Sequence, residues 1–216
     1  MMTGPAAAAL PAPALLPTRK RIWLLSDPHL NHANILSFRG NDGALIRPGF
    51  ANVREMNERI LEGWNSRVRH GDIGYWLGDM VIGDLPGFAK LWPKFNGSKR
   101  LIIGNHDDPK FLSSGGFFKK TGVERKFGEY GIFLSHRPAH ESGLELNGQI
   151  MLNVHGHIHE KPSPPGPFRN VSVEVMNYEP IEIEELIAER EAVYGPWRDR
   201  AGAVRTRGVI KGDADA

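Results

Sequence analysis

Seven side chains able to hold a divalent metal recur in short blocks along the chain: Asp27 and His29, Asp79, Asn105, His136, then His157 and His159. Carboxylate, imidazole and amide oxygen together suit borderline ions such as Mn, Fe, Zn or Ni; an all-oxygen set would suit Mg or Ca better. Seven such ligands are too many for one ion. They serve two if one carboxylate bridges, and a pair about 3.5–4 Å apart is the arrangement of many phosphatases and nucleases. Asp27 and His29 are two residues apart, as are His157 and His159, so on extended backbone each pair can point the same way. Glycines precede Asp79, Asn105 and His157, where they let the backbone turn tightly and approach a bound ion or phosphate.

Each block follows a short apolar run. Ile22 to Leu25 reads as a buried strand ending at Asp27. Asp72 to Leu77, with Ile73, Tyr75 and Leu77 alternating, ends at Gly78-Asp79, and Arg100 to Ile103 ends at Gly104-Asn105. Val123 to Phe127 and Tyr130 to Leu134 flank Gly128-Glu129 as a hairpin leading to Ser135-His136. Ile150 to Val154 leads to Gly156-His157, and Val171 to Val175 reads as a further strand. Five strand ends in succession thus carry His, Asp or Asn, and in open α/β sheets the carboxyl ends of strands are where ligands bind. Val53, Met56, Ile60, Leu61 and Trp64 recur at helical spacing over about four turns. Asp84 caps a short helix with Pro86 in its first turn, and Ile183 to Val193 reads as a final helix. Residues 28–50, with one helical turn, the stretch 108–122 and the proline-rich 161–170 read as loops. Helices alternate with strands early and hairpins dominate late. The fold class is therefore α/β, two mixed β-sheets packed face to face and flanked by helices in a four-layer αββα sandwich.

The composition narrows the chemistry. Of 216 residues, 40% are apolar and 24% charged, which fits a folded soluble domain and not a disordered chain. Cysteine is absent, so disulfide scaffolds, thiolate zinc sites, iron–sulfur clusters and cysteine nucleophiles are excluded. Lys plus Arg number 27 against 25 Asp plus Glu, and a net charge of +2 does not mark a dedicated nucleic-acid binder. No stretch reaches the ~18 apolar residues of a membrane span. Residues 1–18 have no basic residue before their apolar part and are broken by Pro5, Pro11, Pro13 and Pro17. They read as a flexible leader rather than a secretory signal, which makes the cytoplasm the default location. The domain proper is expected over 19–195. Residues 196–216, with Arg198, Arg200, Arg205, Arg207 and Lys211, read as a basic, solvated tail rather than a phosphate-contacting arm.

Asp-x-His, Gly-Asp, Gly-Asn-His-Asp, His and Gly-His-x-His, in that order, resemble the motifs of the calcineurin-like metallophosphoesterases. The resemblance spans about residues 21–187 and is nearest to small bacterial or phage-encoded members. Their further signatures have counterparts in His32-Ala33-Asn34-Ile35, Trp64-Asn65 and Val175 to Pro180. The resemblance implies that Asp27, His29 and His159 hold one metal, that Asn105, His136 and His157 hold a second, and that Asp79 bridges. It implies two divalent transition-metal ions, Mn2+ foremost, and in-line attack on phosphorus by a hydroxide held between them. His106 would sit over the leaving oxygen as proton donor or charge stabiliser, with Asp107 orienting it.

Some positions depart from the branches of that family. The second block continues Met80-Val81-Ile82-Gly83, unlike the Gly-Asp-x-x-Asp-Arg-Gly of the Ser/Thr-phosphatase branch. Arg137 stands where close relatives carry an aromatic; it is either a clamp on two phosphate oxygens or a surface arginine. His32 is a candidate contact to substrate or to a metal-bound water. His155 abuts the site and packs or orients a ligand from behind, and His70 and His140 carry no role. Arg39 and Arg47, on the loop beyond the first block, read as solvated charges, with contact to substrate phosphate as the alternative, and Trp23, Trp76 and Trp92 read as core. The expected activity is hydrolysis of a phosphodiester in a small soluble substrate, 2′,3′-cyclic nucleotides among the candidates. A phosphomonoesterase is the near alternative. A nuclease is disfavoured by the near-neutral charge and by the lack of a capping domain after the last block. A degenerate binding module, as in the retromer subunit of this family, is disfavoured by the intact His106.

Overall fold

The computed structural model describes residues 19–204, so the leader expected over 1–18 and the tail beyond 204 lie outside the described residues. Five strands form the first sheet: β1 (Ile22–Leu25), β2 (Ile73–Trp76), β3 (Ser98–Ile102), β4 (Lys120–Gly122) and β11 (Ile181–Glu182), in the order β11-β1-β2-β3-β4. The run β1 to β4 is parallel, and β11 pairs antiparallel with β1. The second sheet has β5 (Glu124–Phe127), β6 (Ile132–Ser135), β9 (Leu152–His155) and β10 (Phe168–Asn170), in the order β10-β9-β6-β5. There β6, β9 and β10 are parallel and β5 forms the antiparallel hairpin with β6. A small hairpin, β7 (Glu145–Leu146) and β8 (Gln149–Ile150), stands apart.

Both faces of the first sheet are covered, and its strands are apolar on both sides for that reason. Ile22 and Leu24 of β1, with Ile73 and Tyr75 of β2, face Ile132, Leu134, Leu152 and Val154 of the second sheet. The alternate residues Trp23, Leu25 and Trp76 face helix α1 (Val53–Arg67) and helix α2 (Leu85–Leu91), meeting Met56, Ile60, Trp64 and Phe88. Asn52 caps α1 by accepting from the Glu55 amide, and Asp84 caps α2 by accepting from the Gly87 amide. Helix α4 (Ile183–Tyr194) opens with a Glu182/Glu185 capping box and adds Ile183, Leu186 and Ile187 to the core between the sheets. The expected α/β class, two mixed sheets face to face and flanked by helices, is what the chain adopts. Among the described residues no helix is long and apolar enough to cross a membrane.

Three expectations change. Val171 to Val175 forms no strand; the strand is β10, within the segment read as loop. The Val171 amide donates to the His155 carbonyl of the second sheet, while Ser26 of the first sheet exchanges bonds with Val171 and Val173. The segment is thus a seam between the sheets, and a pattern of apolar residues cannot separate a seam from a strand. Helix α3 (Pro109–Ser114), capped by Asp108, and strand β4 stand where 108–122 reads as loop, because neither buries a periodic face: β4 is exposed or half-exposed throughout. The packed body also runs past residue 195, the expected boundary, because Trp197 is buried against Phe133, Leu144 and Met151 on the outer face of the second sheet.

An aromatic cluster fastens α1 and α2 to the first sheet. Trp64 stacks on Trp76 at 4.1 Å and donates its indole N–H to the Asn96 carbonyl at 3.0 Å. Trp92 and Phe95 close the cluster on Trp76, and Trp23, Trp76 and Trp92 are core residues as expected. Trp64→Ala removes a wholly buried indole and should cost about 3–5 kcal/mol of unfolding free energy, read from the urea midpoint. Trp64→Phe should cost less. A loss under about 1 kcal/mol would mean the cluster does not hold α1 to the sheet.

Candidate metal centre

The carboxyl ends of β1, β2, β3, β6 and β9 meet at one end of the sandwich, and every predicted block lies just beyond one of them. The backbone there is left-handed. Asp27 (φ 55°), His29 (46°), Asp79 (54°), His157 (70°) and His159 (52°) all have positive φ, a conformation that costs about 1 kcal/mol or more per non-glycine residue. Hydrogen bonds between blocks hold it: the Asp27 amide donates to the Gly78 carbonyl, and the His29 amide to the Asp79 carbonyl at 3.0 Å. Asp27 and His29 do converge, but through these turns and not through a strand pleat. For His157 and His159 the pleat argument fails, because the left-handed turn sends the two rings into different groups.

Asp27, His29 and His159 form one group, and Asp79, His136 and His157 form the other; in each, ligand-competent atoms lie within 4.8 Å of one another. Asp79 faces both: its Oδ2 is 3.7 Å from His29 Nε2 and 3.4 Å from His136 Nε2. Asn105 joins the second group, its Oδ1 lying 2.9 Å from His136 Nε2. His136 Nδ1 donates to the Leu77 carbonyl at 2.7 Å, which directs Nε2 into the site. His106 is exposed at the mouth with its ring centroid 5.9 Å from that of His29, while its amide donates to Asp79 Oδ1.

Two glycines make room for carboxylates rather than for an ion. A Cβ on Gly156 would collide with Ser26 Oγ and Asp27 Oδ2, and one on Gly104 with the Asp79 carboxylate. Asp27 Oδ2 instead accepts from the His157 amide and from Ser172 Oγ, both at 2.9 Å. Its other oxygen, Oδ1, has no hydrogen-bond partner, nor has either ring nitrogen of His29, although all are buried. Buried polar atoms left bare are costly. A carboxylate oxygen and neutral imidazole nitrogens bare together fit a borderline divalent cation.

The electrostatics agree. Burial pushes the Asp27 carboxyl above its ordinary range, against the opposing pull of His136 and His159. Burial, then Arg47, holds His29 well below its ordinary value, and burial holds His157 at about 4, so both present lone pairs. For Asp79 burial acts upward but is outweighed by His136, the His106 amide and His29, and the carboxyl stands at about 2. His136 and His159 go up despite burial, drawn by Asp79 and by Glu174 respectively.

Two assignments are corrected and one residue is added. Asp107 does not orient the His106 ring. Both its oxygens are taken by amides: Oδ1 by Met80 at 2.7 Å, Oδ2 by Gly104 at 2.8 Å and Asp79 at 3.1 Å. It clamps the second and third blocks together. Arg47 is not a solvated charge but is buried, donating to the Asp27 and Pro28 carbonyls and to Glu174. Glu174 was missed altogether: buried, it accepts from His159 Nδ1 at 2.9 Å and from Arg47 Nε at 2.8 Å. No spacing rule connects residues 127 positions apart; the one available signal was a lone acid in the apolar run Val171 to Val175. The two candidate substrate contacts lie beside the groups. The His32 ring is 5.5 Å from that of His29, and exposed Arg137 is close enough for its charge to lower His157. His155 is buried, its Nδ1 on the neighbouring Gly156 carbonyl and its ring 6.2 Å from that of Phe168.

Glu174 titrates at about 2 in the folded chain against an ordinary 4.5, because Arg47 and His159 outweigh its burial. A depressed folded value means that the ionised form stabilises the fold above pH 4.5, and that this contribution disappears as pH falls from 4.5 toward 2. Metal-free protein should therefore lose stability across that window, with Asp79 adding to the loss from 3.8 downward. Glu174→Gln should flatten the upper part of this acid limb in chemical denaturation at stepped pH. An unchanged limb would assign it to other carboxylates.

Comparison with known proteins bears on the family and the fold. The sequence model of the calcineurin-like phosphoesterase family matches residues 20–206. An uncharacterized protein of Methanocaldococcus jannaschii is 35% identical over 177 residues, covering 78% of this chain and 90% of that protein. The Gene 66 protein of Mycobacterium phage L5 is 33% identical over 90 residues, 40% of each chain. The crystal structure of a protein of unknown function from Aquifex aeolicus superposes with a TM-score of 0.60 at 24% identity, covering 79% of this chain and all of that one, a likeness of fold. With five motif blocks converging on one end of two packed sheets, and with a family match over nearly the whole described chain, the protein belongs to the calcineurin-like phosphoesterases.

Proposed function

We propose that the chain is a metal-dependent phosphodiesterase that binds two divalent transition-metal ions and hydrolyses small soluble phosphodiesters, cyclic nucleotides of the 2′,3′ type among them. The observation that carries the reading is Asp79 Oδ2 lying between two His/Asp groups, within 3.4 Å of His136 and 3.7 Å of His29. In this reading Asp27, His29 and His159 hold one ion, Asn105, His136 and His157 the other, and Asp79 is shared. When bound, the ions would supply Lewis acidity toward phosphoryl oxygen and lower the pKa of water at neutral pH.

The chain's own residues do the remainder. Asp79, held ionised, would help hold both ions while its Oδ1 accepts from the His106 amide, so one side chain would serve the ions and also fix the block that carries His106. His106, exposed at the mouth, is placed to give a proton to the departing oxygen or to steady its charge. Arg137 beside the second group offers a forked cation to phosphate oxygens. Mn2+ is the first ion to try, as the donor set is mixed nitrogen and oxygen without sulfur.

A paired assay tests this. Mn2+-loaded protein should cleave bis(p-nitrophenyl) phosphate faster than p-nitrophenyl phosphate, and a chelator should abolish both rates. Asp79→Asn should abolish bound metal and turnover together. His106→Ala should lower kcat by about 10²–10⁴ with both ions retained. A faster monoester rate would make the chain a phosphatase; full turnover in Asp79→Asn would overturn the site.

A further inference from the structure

We propose that Arg47 and Glu174 form a positioning device that builds the Asp27–His29–His159 group, and only that group, before metal arrives. The inference rests on the metal reading above but concerns residues outside its ligand set. Arg47 links both halves of this group, the turn directly and His159 through Glu174. Its Nη1 donates to the Pro28 carbonyl at 2.9 Å and its Nη2 to the Asp27 carbonyl, so the fork grips the turn that carries Asp27 and His29. That turn is left-handed at both residues and would relax if released. On its other side the same guanidinium meets Glu174 Oε1, 2.8 Å from both Nε and Nη2. Glu174 Oε1 in turn accepts from His159 Nδ1 at 2.9 Å, which puts the proton on Nδ1 and leaves the lone pair on Nε2. One buried cation thereby sets the backbone of two candidate ligands and the tautomer of a third.

Among the described residues no side chain of the second group bonds Arg47 or Glu174. His136 takes its orientation from the Leu77 carbonyl, and Asp79 and Asn105 belong to blocks joined by Asp107. Loss of the device should therefore be selective. The requirement is also for a fork and not merely for a charge. Three acceptors on two sides of one planar group match a guanidinium, and an ammonium is a point donor that cannot span them.

The test is a titration of metal-free protein with Mn2+ by calorimetry, in the native chain and in Arg47→Lys and Glu174→Gln. A His157→Ala background, which keeps the Asp27 group intact, identifies which ion is affected. Arg47→Lys and Glu174→Gln should each weaken one ion by about 10–100-fold, leave the other unchanged, and show no further loss when combined. Far-UV circular dichroism of the metal-free variants should match the native chain. Native affinity for both ions in either folded variant overturns the proposal, and so does equal weakening of both ions, which would mark a general structural role. Should Arg47→Lys fail to fold, Glu174→Gln decides alone. A native chain that binds a single ion refutes the two-metal reading, and the effect of the variants on that ion still decides this proposal; a native chain that binds none overturns both.

Discussion

The site depends on holding left-handed backbone at five side chains that have no glycine's freedom. Such turns are expensive singly, and here five of them share one end of the molecule. They persist because each is tied to a turn from a different strand: Asp27 to Gly78, His29 to Asp79, His157 to Asp27. The first two form once β1 and β2 pair within the first sheet, and the third exists only when the two sheets have come together with their carboxyl ends aligned. The parallel pairing of β6 with β9 in the second sheet therefore matters as much as that of β1 to β3 in the first. An antiparallel partner would have carried its block to the far end.

Charge is the second constraint, and the two groups meet it differently. Asp27 is buried completely and sits above its ordinary range, so its anion lacks a counter-charge that a cation would supply. Asp79, also buried, is held at about 2 by histidine and amide donors. Behind the first group stands a further anion, Glu174, whose partner is Arg47; breaking such a buried pair strands a charge. The polar matter at this end is thus organised outward from cations and amides, with bare acceptors pointing inward.

How much of this was legible follows from distance along the chain. The motif residues could be read because each block is contiguous and follows an apolar run; Asp-Pro-His and Gly-His-Ile-His advertise themselves. Strands β1, β2 and β6 could be read because burial on one or both faces leaves an unbroken or alternating apolar record. What failed was of another kind. The seam at Val171 to Val173 bonds to both sheets and looks like a strand in sequence. Asp107 looks like a partner for its neighbour His106, yet its bonds go to the Asp79 and Met80 amides of the second block and to the Gly104 amide of its own. Arg47 and Glu174 are meaningful only as a pair, and a pair 127 residues apart leaves no periodic trace. Side chains that act through space on the ligands are invisible to spacing rules that find the ligands.

The position of Arg47 bears on how substrate preference can vary in this protein. The loop over residues 28–50 carries His32 beside His29, and Phe38 stands 46% exposed at the edge of the His32 ring, so this loop forms the rim beside the candidate centre. A rim loop is where recognition changes most easily, since backbone on a surface tolerates substitution. Here the loop is pinned at its far end by Arg47, which returns into the core to grip Asp27 and Pro28. Between rim and anchor the chain closes on itself through the Arg39–Leu45 bridge and the Gly40 amide on the Ala44 carbonyl. Residues 39–45 can therefore be altered as a closed unit without moving Arg47. A change of loop length between Ala44 and Arg47 would instead pull on the turn that carries Asp27 and His29. The loop is free to vary at its tip and constrained at its base.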